Sequence, residues 1–174
     1  MSRSGIVFTI KSEEVDAMKK FKLTDLLIFI VTAELVGALS ALFSGDFSSF
    51  YTEIKAPPLL PPSWLFPVVW AILYALMGIS AYMIWQTDDS VKCRSTALKL
   101  YYVQLAVNFS WSILFFRFRL LGLAAAVAIL LLMLVGAMIL AFRNVKKTAA
   151  RLNIPYFIWL IFASYLAVAV YILN

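Results

Sequence analysis

Three stretches of the chain set polar and aromatic side chains at helical spacing in apolar surroundings, and these are the residues equipped for chemistry. Gln104, Asn108, Trp111 and Phe115 stand four, three and four residues apart, which puts them on one face of a helix. Trp70, Tyr74, Met77, Ala81 and Trp85 follow the same rule, as do Tyr156, Trp159, Ala163, Leu166 and Val170. Two amides inside an apolar segment are costly unless they find partners, so Gln104 and Asn108 are expected to point into a helix bundle. There they act as interhelical hydrogen-bond glue or as ligand contacts, since both uses need the same direction. The indole and phenol rings add flat apolar surface with a polar tip, which suits a planar aromatic ligand. Trp64 and Trp85, at the two ends of their segment, also fit an interfacial aromatic belt.

Glu34 is the one ionisable side chain in the middle of an apolar run. Such a group is a functional candidate; the plainer reading is a protonated or hydrogen-bonded helix contact, to Gln104 or Asn108. The string Ala33-Glu34-Leu35-Val36-Gly37 resembles the first helix of small multidrug transporters, where a glutamate couples proton and drug. A proton-coupled transporter of hydrophobic compounds is therefore one reading of the chain.

Other chemistry is excluded by what the chain lacks. It has no histidine and one cysteine, Cys93, so histidine-ligated haem, His-containing zinc sites, Ser-His-Asp and Cys-His catalysis and an intrachain disulfide are all ruled out. No metal site is expected. The spans hold no paired carboxylates, which leaves ordinary acid–base catalysis little to work with. Cys93, between Lys92 and Arg94, is read as a neutral loop residue or a redox contact.

The elements that position these residues follow from composition. Of 174 residues, 64% are hydrophobic and 14% charged, and the mean hydropathy is +0.93. Those proportions describe a membrane protein rather than a soluble domain. Five apolar runs reach the length a span needs, at about 26–43, 64–85, 98–116, 120–142 and 154–173. The expected fold is an all-α membrane protein, a five-transmembrane-helix bundle over residues 23–174 behind an N-terminal tail, 1–22. The 5–10 run in that tail is too short for a signal-peptide core, and Met18 is an alternative start. Residues 44–63 form the one long connection. Its prolines, Pro57, Pro58, Pro61 and Pro62, stiffen it and stop either helix from continuing.

The net charge is +6, and its distribution orients the chain. Twelve of the 15 basic residues fall on the side of the N-terminus, with Lys55, Arg117 and Arg119 on the other. The positive-inside rule puts the N-terminus in the cytoplasm and the proline loop and C-terminus outside. The bilayer thus accounts for the basic surplus, and no nucleic-acid partner is expected. The fourth run, with Ala124, Ala125, Ala126, Ala128, Gly136 and Ala137 and no polar side chain, reads as close-packing material.

Pro61-Pro62-x-Trp64 with Trp70 and Leu73-Tyr74, Gln104-Leu105-x-x-Asn108-x-x-Trp111 with Phe115-Phe116, and Pro155-Tyr156-x-x-Trp159-x-x-Phe162-Ala163 together resemble the TspO/MBR family of translocator and tryptophan-rich sensory proteins. The resemblance runs in matching order from about Leu23 to the C-terminus. It implies a five-helix bundle, commonly a homodimer, binding porphyrins such as protoporphyrin IX or haem and other hydrophobic ligands in a cavity capped by the first loop. It implies no obligatory cofactor. Family roles include tetrapyrrole regulation, stress sensing, transport and light-dependent porphyrin breakdown; in the last case Trp111 and Trp159 are the catalytic candidates. The pocket positions that carry over are Trp70, Tyr74, Asn108, Trp111, Trp159 and Ala163, with Trp64 and the Pro-Pro pair shaping the cap. Gln104 and Tyr156 join them through the spacing argument. The chain departs from the family pattern at Leu59, where a loop tryptophan is usual, at Val127 for an aspartate and at Ala167 for an asparagine. Tyr171 is followed only by Ile-Leu-Asn, so the basic residue of a sterol motif is missing.

Overall fold

A computed structural model describes residues 22–45, 50, 52–88 and 93–174. All regular structure among them is helical. In chain order the helices are α1 (Leu23–Ser44), α2 (Leu65–Trp85), α3 (Arg94–Ser112), α4 (Leu121–Val145), the six-residue α5 (Lys147–Leu152) and α6 (Ile154–Leu173). The expected N-terminal tail, with Met18 and the 5–10 run, lies outside the described residues up to residue 21.

Among the described residues five of the helices are long, and four stretches are long and apolar enough to cross a bilayer: α1, α2, α4, and α5 with α6 together. The sequence reading expects five. The difference is α3, which carries Arg94, Lys99, Gln104 and Asn108 in 19 residues and so falls short of a plainly apolar span.

Local chemistry sets the helix ends. Gly45 closes α1 with φ of 82°, a conformation that costs glycine nothing. Pro67 lies in the first turn of α2 and Pro155 in the first turn of α6, where a missing N–H breaks no helical bond. The third apolar run does not end as plain α-helix. It passes into a π-helical turn, Ile113–Arg117, closed by Phe118 N–H donating to the Ile113 carbonyl at 3.1 Å and Leu120 N–H to the Leu114 carbonyl at 3.0 Å. The wider turn re-aims the rings that follow Trp111.

α1 packs chiefly on α2 and also against α3, while α4 bridges α3 and α6. The α1–α2 approach is close because Gly78 has no side chain; a Cβ there would meet the α1 backbone at Ile30 Cα, 2.7 Å away. One core joins Met77, Ala81 and Ile84 of α2 to Tyr101 and Gln104 of α3, Val135 and Met138 of α4, and Tyr156 of α6. A second, nearer the loop end, packs Phe50 and Phe115 on Ala124, Ala125, Ala128, Ala167 and Val170. Ala126 and Ala137 are exposed, so only part of the small-residue content of α4 serves packing inside this chain.

Candidate functional site

A cavity of about 670 Å³ opens between the second half of α1, the first half of α2 and the end of α3. Small residues of α1 make the space: Gly37, Ala41 and Gly45 recur every fourth position along the wall, one above another on the helix face. Opposite them, α2 supplies Trp64, Phe66, Trp70 and Tyr74, and the α3 end supplies Trp111 and Phe116. Because α1 and α2 run in opposite directions, Glu34 and Tyr74 form the floor, and Gly45 and Trp64 lie at the mouth.

Aromatic contacts hold the wall in shape. Trp70 and Tyr74 lie 5.6 Å apart between ring centroids, and Trp70 meets Tyr156 edge-on at 6.0 Å. Trp111 stacks on Phe115 at 5.2 Å, and its indole N–H donates to the Ala124 carbonyl at 3.0 Å. That bond anchors the ring to α4, so its face rather than its polar edge is offered to the cavity. On α1, Ser40 Oγ donates to the Phe109 carbonyl at 2.8 Å, tying the α1 wall to α3.

Four of the residues singled out from the sequence, Trp64, Trp70, Tyr74 and Trp111, line this cavity together with Glu34. Three others lie beneath it in a buried network. Asn108 Nδ2 donates to Tyr156 Oη at 3.0 Å, Tyr156 Oη donates to Gln104 Oε1 at 3.0 Å, and Gln104 Nε2 reaches Met77 Sδ at 3.5 Å. The expected contact of Glu34 with Gln104 or Asn108 is not made: both amides are satisfied by Tyr156, and Glu34 makes no hydrogen bond or ion pair among the described residues.

Trp159 and Ala163 are placed apart from the large cavity. Trp159 packs edge-on against Phe66 at 5.8 Å, and its indole N–H is buried without an acceptor among the described residues. Ala163 lines a separate space of about 30 Å³ with Phe50, Leu60, Leu166 and Ala167. Phe66, Trp111 and Phe116 border both spaces and form the partition between them. Pro57, Pro58, Pro61 and Pro62 line neither. The loop bearing them is clipped instead to α6, where Tyr165 Oη donates to the Pro58 carbonyl at 3.0 Å and Lys55 N–H donates to Asn174 Oδ1 at 2.8 Å.

Sequence reasoning missed Phe66 and Ser40 of the wall, and it quoted Phe116 within the family motif without assigning it to the cavity. The every-fourth-residue run of small side chains in α1 was a readable signal; the π-helical turn that brings Phe116 to the cavity had none. Among the described residues, no group of histidine, cysteine and carboxylate side chains is placed to hold a metal.

Apolar helices around an open aromatic cavity define an integral membrane protein of the all-helical class. Comparison with known proteins narrows the class. Residues 29–173 match the model of the TspO/MBR family, and the chain belongs to that family. It is 33% identical over 157 residues to the tryptophan-rich protein TspO of Archaeoglobus fulgidus, covering 84% of this chain and 98% of that one. It is 34% identical over 152 residues to protein CrtK of Rhodobacter capsulatus, covering 87% and 94%. With the translocator protein of Bos taurus it shares 35% identity over 140 residues, covering 79% and 83%.

Proposed function

We propose that this protein binds porphyrins or similar flat hydrophobic ligands in the cavity between α1, α2 and α3, as a membrane sensor or translocator linked to tetrapyrrole regulation or transport. The observation that carries this reading is one cavity of about 670 Å³ walled by Trp64, Trp70, Tyr74 and Trp111. Its volume lies within the range of small-molecule sites, and its lining is of the same apolar, aromatic kind. The names of relatives, translocator protein and tryptophan-rich sensory protein, agree with the reading.

In this proposal all five long helices span the bilayer, α3 shielding Gln104 and Asn108 inside the bundle. The N-terminus is cytoplasmic and the first loop lies outside, which the one-sided distribution of basic residues supports. The protein is read as a homodimer, and the outward stripe of Leu27, Val31, Leu35 and Leu42 on α1 offers apolar surface to lipid or a second copy.

The test is a titration of protoporphyrin IX into the purified protein, followed by tryptophan fluorescence in the dark and then under light. Saturable quenching that is lost in a Trp70→Phe, Trp111→Phe double variant is the expected result. Absence of saturable quenching in the wild type refutes the reading. Loss of the porphyrin spectrum under light alone turns the conclusion toward photo-oxidative breakdown. A second reading, proton-coupled transport, draws on Glu34 lining the cavity; it requires a proton-gradient-driven flux that Glu34→Gln abolishes.

A further inference from the structure

The cavity is electrically lopsided. Among the described residues Glu34 is the one charged side chain on its lining, and the other polar side chains there are three serines, Ser40, Ser63 and Ser112, the Tyr74 phenol and the indoles of Trp64, Trp70 and Trp111, of which Trp111 is committed to the Ala124 carbonyl. Ser40 is already committed to the Phe109 carbonyl. Glu34 sits at the inner end, eleven residues along α1 from Gly45 at the mouth, about 16 Å at 1.5 Å per residue. Two arginines stand at the mouth end, outside the cavity: Arg117 Nη1 donates to the Phe43 carbonyl at 3.3 Å and Arg119 pairs with Glu53.

A carboxylate at the end of an apolar channel is costly while unpaired, and the cheapest remedy is a cation delivered to it. Three features make the floor of this cavity suited to supply that partnership from a ligand. Glu34 has no hydrogen-bond or ion-pair partner among the described residues. Tyr74 and Trp70, 5.6 Å apart, line the same cavity and supply aromatic rings, whose faces attract cations. Gly37, one turn further along, carries no side chain, and the Tyr74 ring packs on the space a Cβ would fill, which brings that ring to the α1 wall near Glu34. An anionic group driven to the same floor meets repulsion from Glu34 and finds no basic lining residue.

We propose that Glu34 makes this cavity discriminate by charge among flat apolar ligands, favouring those that carry a protonated amine, the amine seated at the Glu34 carboxylate and the body lying along Trp70 and Trp111. Acidic substituents, where a ligand has them, are left at the mouth on the side of Arg117. This assignment rests on the reading of the cavity as a ligand site and adds the charge and the direction of entry.

The test uses three pyrene probes of one shape, 1-pyrenemethylamine, 1-pyrenemethanol and 1-pyrenecarboxylate, titrated by fluorescence into the full chain in a neutral maltoside detergent. The wild type is expected to bind the ammonium probe tenfold to a hundredfold more tightly than the alcohol, the range of one charge-assisted hydrogen bond, and the carboxylate most weakly. Glu34→Gln removes the preference, bringing the ammonium and alcohol affinities together. Glu34→Asp, which keeps the charge and shortens its reach, retains the order with a smaller gap and serves if the glutamine variant does not fold. Equal binding of ammonium and alcohol by the wild type overturns the proposal, as does a preference that survives in Glu34→Gln. Failure of all three probes to bind overturns instead the reading of the cavity as a ligand site, as does probe binding that is unchanged when Ala41→Trp fills the cavity.

Discussion

Asn108 of α3 and Tyr156 of α6, 48 residues apart, meet at 3.0 Å in the centre of the bundle, and the same phenol oxygen donates to Gln104 at 3.0 Å. All three side chains are at most 1% exposed. One hydroxyl therefore satisfies two amides at a depth where water cannot replace it. Tyr156→Phe keeps the ring and strands both amides. The expected loss is about 1–2 kcal/mol, between the modest worth of a bond within a membrane and the larger cost of an unmet buried group. Thermal unfolding in detergent reads it as a lower midpoint. Because the network lies below the cavity, porphyrin quenching is expected to change little, and a large loss of affinity would move Tyr156 into the binding wall.

Two glycines of the α1–α2 contact differ in what a methyl group would strike. At Gly37 it overlaps the ring of Tyr74, a side chain; at Gly78 it meets the backbone of α1 at Ile30 and the Phe29 carbonyl. A ring can turn, although Tyr74 is 5% exposed and has little room; a helix backbone must move as a whole. Gly78→Ala should therefore cost more stability than Gly37→Ala, with overpacking of this kind typically worth about 1–3 kcal/mol. Gly37→Ala should instead be the more damaging to ligand affinity, since Tyr74 is floor and Gly37 is wall. Paired unfolding and quenching curves for the two variants separate these effects.

Helical period alone made the inward faces of α2, α3 and α6 legible, because a bundle must bury a stripe at that spacing. Tyr74, Met77, Gln104, Asn108, Tyr156 and Val170 are all buried. Period does not say which inward residues border space and which fill it. That depends on small side chains of a neighbouring helix, here Gly37, Ala41 and Gly45, and on Phe66, whose bulk stands between Trp70 and Trp159. The π-helical turn at Ile113–Arg117 was hidden for another reason: it is settled by the fit of Phe115 and Phe116 against Phe50, with ring centroids 5.0 and 5.1 Å away, a tertiary contact rather than a local propensity. The fifth apolar run of the sequence, α3, is the one whose amides and basic residues dilute its hydropathy, so pattern and composition diverge there.

On the loop side, Arg119 takes a left-handed φ of 52° and pairs with Glu53. The hydrogen bond and charge of Arg119 hold the Glu53 carboxyl below the usual glutamate range. A lowered carboxyl contributes stability above the glutamate range of the unfolded chain and loses it as pH falls through the folded value. Both side chains are half-exposed, so the effect is small and screened by salt. Unfolding midpoints of wild type and Glu53→Gln should differ slightly at neutral pH and converge in acid. Convergence in alkali instead would assign the difference to another group.

Phe66 touches both internal spaces and packs on Trp159 at 5.8 Å, so it decides whether Trp159 faces the large cavity. In the wild type the partition keeps a ligand near Trp70 and Trp111, and replacing Trp159 by phenylalanine should remove little of the quenching that bound porphyrin produces. Phe66→Ala opens the partition, joining the large cavity to the space beside Ala163 and Ala167. Truncating a partly buried phenylalanine costs stability, about 3–5 kcal/mol at a fully buried site and less here, so the variant is best studied at low temperature. In that background Trp159→Phe should cut the quenching amplitude measurably. Equal amplitudes with and without Trp159, in both backgrounds, would mean that the two spaces do not communicate through Phe66. A large Trp159 contribution already present in the wild type would mean that the ligand displaces Phe66 as it enters.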